Sequence, residues 1–154
     1  MPPSRGEITA ADWRLLARAG LRLVLVRLAL WFLPLGTIRR LKPGTRRADD
    51  SQMDTALPDR AAWAVAALGR RLPAMTCLVE AIALETLLAD AGHVAALRIG
   101  VRRDGAAGAS PHVLAHAWLE YHGRVLIGDV PNLAAYATLS SPDHRSRTGW
   151  VWEG

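Results

Sequence analysis

Cys77, His116 and Asp129 put a thiol, an imidazole and a carboxylate into one stretch of this chain. A thiolate attacks carbonyl carbon, an imidazole takes up and returns the proton, and a carboxylate can hold that imidazole in one tautomer. Cys77 is the only cysteine and opens an apolar run from Thr76 to Leu88. One cysteine excludes an internal disulfide and any multi-cysteine zinc site. It suits a reducing cytoplasm, the expected compartment, where a free thiol persists. Each residue alone has a plain structural reading. A lone cysteine in an apolar helix is usually a small core residue, a strand histidine usually packs, and an aspartate before Val130-Pro131 can simply start a turn. The chemical reading therefore rests on the three together.

The elements around them can be read from pattern. Pro73 is suited to open a helix, Thr76 to cap it and Gly92 to stop it. Cys77 then falls in or near the first turn, where backbone N–H groups and the positive end of the helix dipole favour a thiolate. Only Glu80, Glu85, Thr86 and Asp90 interrupt the apolar character of that helix, so it is expected to be buried on all sides. Ala95 to Arg103 reads as a strand, 104 to 111 as a loop, and His112 to Tyr121 as a second strand with strict alternation. His122-Gly123 is a turn, and Arg124 to Gly128 is the return strand. If Tyr121 pairs with Arg124, then Glu120 faces Val125, Trp118 faces Ile127, and His116 faces Asp129. Opposed residues lie about 4.5–5.5 Å apart at Cβ, within reach for a carboxylate and an imidazole. A slip of one residue would undo this pairing.

Cys77 with its leucine-rich helix, Leu97-Arg98-Ile99-Gly100-Val101, Ala115-His116-Ala117-Trp118-Leu119-Glu120, Gly123 and Asp129 together resemble the leader peptidases of lasso-peptide biosynthesis. These are transglutaminase-like, papain-type cysteine peptidases. The resemblance is close over about residues 70 to 130 and loose before that. It implies an α+β fold with a central cysteine-bearing helix on an antiparallel sheet, and Cys77, His116 and Asp129 as the catalytic triad. It implies no cofactor and no metal. The implied substrate is a ribosomally made precursor peptide, cleaved to a leader and a core peptide. The implied partners are a separate leader-binding protein, a RiPP recognition element, and the ATP-dependent cyclase that would act on the freed amine.

The remaining chain sets the frame. A length of 154 residues and 51% hydrophobic composition suit one globular domain. Residues 1–72 are expected to form an N-terminal helical region packed on a core of 73–154. Residues 10 to 33 read as a helix, with Arg14, Arg18 and Arg22 on one face. Its longest charge-free run, Leu28 to Ile38, is 11 residues and contains Pro34, well short of the roughly 20 residues of a membrane span. Shallow association with a membrane surface stays open. Gly36 to Asp54 reads as a linker, Pro58 to Leu72 as a second helix, Ala134 to Leu139 as a short element, and Trp150 and Trp152 as part of a tail. The net charge of +5 favours acidic partners, but no phosphate-binding glycine motif or nucleotide fingerprint accompanies it, and nucleic acid is not expected. His112 and His116 share a strand face, yet a metal would need a third ligand. Two other functions fit the same residues: a thiol acyltransferase using the same triad, and a basic binding module in which Cys77 is only structural.

Overall fold

The computed structural model describes residues 9–34, 37, 54–104 and 112–139. Most of the proposed linker, most of the 104–111 loop and the tail with Trp150 and Trp152 lie outside these residues. The first helix, α1, runs Ala10–Phe32. Thr9 and Asp12 cap it reciprocally: the Thr9 side chain accepts from the Asp12 N–H, and Asp12 accepts from the Thr9 N–H and hydroxyl. Arg60 adds an ion pair to Asp12 at 2.7 Å. The next helix, α2, is Leu57–Gly69, with Pro58 in its first turn, where its missing N–H costs nothing.

The cysteine-bearing helix, α3, spans Cys77–Asp90. Thr76 caps it by accepting from the Val79 N–H at 3.4 Å. Pro73 does not open it, as the sequence pattern had suggested, but lies in a preceding turn where Ala74 takes φ 59°. Gly92 ends the helix at φ 84°, and the His93 N–H closes onto the Leu88 carbonyl. The helix buries Val79, Ala81, Ile82, Ala83, Leu84, Leu87 and Leu88. It is central, as its nearly unbroken apolar surface required.

Four strands follow: β1 Ala96–Asp104, β2 His112–Tyr121, β3 Arg124–Ile127 and β4 Ala137–Thr138. They form an antiparallel sheet in the order β3-β2-β1-β4. A single apolar cluster joins Leu23 of α1, Val65 of α2 and Leu84 and Leu88 of α3 to Leu97, Ala117, Leu119 and Ile127 of the sheet. The fold is thus α+β, with three helices on one face of a four-stranded sheet. Because β4 pairs with β1, the chain leaving β3 must cross β2 and β1 to reach it. The crossing segment contains a short 3-10 helix, Leu133–Ala135. Tyr136 at its end lies 5.6 Å, ring to ring, from His116. That contact puts the crossing on the sheet face away from the helices.

Candidate functional site

Cys77 is the first residue of α3, half-buried, with its side chain packed against the apolar cluster. The thiol sits where unpaired N–H groups of the first turn converge. Among the described residues it forms no hydrogen bond. Three residues on, half-buried Glu80 shares its helix face, and burial raises its carboxyl above the ordinary value, with the Arg70 charge pulling it back.

His116 stands on the other face of the sheet. Strand alternation explains this: Ala117 and Leu119 enter the helix-side cluster, so His116, Trp118 and Glu120 point away from it. The imidazole is enclosed by aromatic groups. The Trp118 ring stacks on it at 6.3 Å and 18°, and Tyr136 covers it at 5.6 Å. Gly100, the direct strand partner of His116 on β1, leaves room for both. A Cβ there would stand 2.9 Å from the Trp118 ring and 2.9 Å from Tyr136 Cβ. Trp118 Nε1–H donates to Glu120 at 2.8 Å, and Arg98 pairs with the same carboxylate at 3.1 Å. The Trp118 bond, and then Arg98, hold the Glu120 carboxyl below its usual value against an opposing desolvation effect. Glu120 is therefore engaged in fixing Trp118.

The hairpin count holds for its first two pairs and then changes. Tyr121 pairs with Arg124 and Glu120 with Val125, across a turn with φ 48° at His122 and 76° at Gly123. The next pair is Ile127 with Leu119, in place of Ile127 with Trp118. Strand β3 carries one residue more than β2 there, Leu126, which forms a bulge. Past the bulge Gly128 lies against Ala117 and Trp118 of β2, and Asp129 no longer falls opposite His116. His116 Nε2 lies 2.7 Å from the Gly128 carbonyl oxygen. Asp129 follows directly and is exposed. Among the described residues, no hydrogen bond joins it to His116.

Cys77 and His116 are related through the anchor at the far end of α3. Buried His93, just past Gly92, bonds through Nδ1 to the Tyr121 hydroxyl at 2.9 Å, which ties the end of α3 to the end of β2. Cys77 and His116 stem from opposite sides of the sheet, and no hydrogen bond joins them among the described residues.

The sequence reading missed Gly100, Gly128 and Tyr136. Gly100 carried a signal, since an isolated glycine inside a strand often marks a close approach. Tyr136 carried none, because only the crossing from β3 to β4 brings it over His116. Among the described residues, no three His, Cys, Asp or Glu side chains gather as a metal site.

No curated protein and no solved structure matches the chain. The family model of the transglutaminase-like superfamily matches residues 15–141, a span that contains Cys77, His116 and Asp129. The chain belongs to the transglutaminase-like superfamily, which includes cysteine peptidases and thiol acyltransferases.

Proposed function

We propose that this protein is a cysteine peptidase that removes the leader from a ribosomally made lasso precursor peptide. The observation that carries the reading is the placement of the sole cysteine at the capped start of α3 in a transglutaminase-like chain. The resemblance around Cys77 and the His116-Ala117-Trp118 element supports the substrate class. Cys77 gives its proton to His116 and attacks the scissile carbonyl. The tetrahedral intermediate collapses, the C–N bond breaks, and His116 returns the proton to the leaving amine. Water then attacks the thioester, giving one proton to His116, and the C–S bond breaks to restore the thiol. The Cys77 backbone N–H is a donor for the oxyanion. Asp129 completes the triad by adding negative charge next to the imidazolium.

A leader-binding partner would hold the substrate and raise the local concentration of the scissile bond. The outer face of α1 suits such a partner. It exposes Leu21, Leu25, Leu28, Trp31 and Phe32, at spacings that align them along the helix. Beside it, a groove of about 520 Å³ is lined by Leu15, Arg18, Leu21, Arg22, Leu57 and Leu87.

Mass spectrometry of a lasso precursor incubated with this protein and the leader-binding protein tests the reading. Cleavage with addition of one water is expected, and Cys77→Ala should abolish it while leaving the fold intact. Products joined to an amine instead would identify a thiol acyltransferase. Undiminished cleavage by Cys77→Ala would refute a cysteine mechanism.

A further inference from the structure

We infer that the backbone carbonyl of Gly128, rather than the Asp129 carboxylate, fixes the tautomer of His116 and makes Nδ1 its basic nitrogen. This deepens the peptidase reading and depends on it for its catalytic meaning. A carbonyl oxygen can only accept. The 2.7 Å contact from Nε2 therefore requires a proton on Nε2. In the neutral ring the lone pair is then on Nδ1, the nitrogen left to take up a proton in the peptidase reading.

Two features built into the backbone hold the carbonyl in place. The first is the pairing of Ile127 with Leu119 beyond the extra residue Leu126, which sets Gly128 against Ala117 and Trp118. The second is Gly128 itself. Its φ of 83° lies in the left-handed region that side chains rarely adopt. A Cβ there would also stand 2.6 Å from the Ala117 carbonyl oxygen and 2.9 Å from Trp118 Cα. Both neighbours are backbone atoms of β2, which cannot rotate away. Glycine is thus required by conformation and by contact together, and what it secures is the approach of its peptide to the His116 strand. The Trp118 and Tyr136 rings packed against the imidazole limit its rotation. Asp129 is exposed and lacks a bond to the ring, so it serves as charge and not as the positioning group. Gly128 is accordingly a positioning residue, acting through His116.

Long-range proton–nitrogen NMR on the full chain reads the tautomer directly, with His116 signals identified by their loss in His116→Gln. Wild type is expected to show a protonated Nε2 and a bare Nδ1 in the neutral ring, and Asp129→Ala should show the same. Gly128→Ala, where it folds, should show a mixture of tautomers and a fall in kcat of more than a hundredfold at little change in KM. Cleavage by Asp129→Asn should fall by less than tenfold. That compares with the roughly 10⁴-fold loss seen when the aspartate itself sets the tautomer. A proton on Nδ1 in wild type, or loss of the Nε2–H form in Asp129→Ala, would overturn the assignment; those two arms need no glycine variant to fold. Absence of any cleavage with the Nε2–H form intact would instead refute the peptidase reading and leave the hydrogen bond standing.

Discussion

At His116 the protein uses small residues to place large ones. Gly100 sits opposite the imidazole, and the space it leaves is filled from two sides by Trp118 and Tyr136. Gly100→Val would force branched carbons into both rings. Overpacking of this kind costs about 1–3 kcal/mol, and either Trp118 or Tyr136 must leave His116. We expect Gly100→Val to lower the melting temperature by several degrees and to cut cleavage at least tenfold. Glu120→Gln should do much less, because its amide oxygen can still accept from Trp118 Nε1. Melting curves and turnover of the two variants, measured side by side, check the contrast. An intact rate in Gly100→Val would show that the aromatic enclosure does not matter to His116.

Among the elements, what the sequence revealed was set by periodicity and by local chemistry. Thr76, Gly92 and the apolar run between them specified α3, and the alternation of β2 with the His122-Gly123 turn specified the hairpin. The site was less legible because its last step depends on one bulge. Nothing in Arg124-Val125-Leu126-Ile127 marks Leu126 as extra; it becomes so because Ile127 fills the helix-side core opposite Leu119 and Gly128 must meet the β2 backbone. Alternation cannot anticipate a choice made by packing on two faces at once. Deleting Leu126 tests this. With the extra residue gone, Ile127 follows Val125 directly and still opposes Leu119, so its burial and the place of Gly128 are kept without a bulge. We expect the deletion to keep the Nε2–H form of His116 and to lose only the stability that partly buried Leu126 itself contributes. Loss of the Nε2–H form in the deletion variant would mean that the bulge, and not the pairing of Ile127 with Leu119, sets the Gly128 carbonyl.

Across the whole molecule, the helices are tied to one another and to the sheet at several separated points. Arg22 of α1 pairs with Asp90 of α3, Arg124 of β3 pairs with Asp59 of α2 at 2.7 Å, and His93 links α3 to β2. The first two are exposed pairs, each worth up to about 1 kcal/mol. His93 differs because its ring is 1% exposed. Burial lowers its pKa from the ordinary 6.5, and the nearby charge of His122 acts in the same direction while Asp54 opposes it. A histidine with a lowered folded pKa binds protons more readily when unfolded. Its contribution is complete above pH 6.5 and is lost as pH falls through the folded value. Asp12 also loses stability in acid, but in another window. Hydrogen bonds from Thr9 and Arg60 lower it from 3.8 to about 2, so its contribution fades only below 3.8. Thermal melts should therefore show a first decline in stability just below pH 6.5 and a second below pH 3.8. His93→Gln keeps a polar partner for the Tyr121 hydroxyl but cannot gain a charge. It should flatten the first decline and leave the second, and Asp12→Asn should do the reverse. If His93→Gln followed the wild-type curve below pH 6.5, the acid sensitivity would belong to another group and not to the joint between α3 and β2.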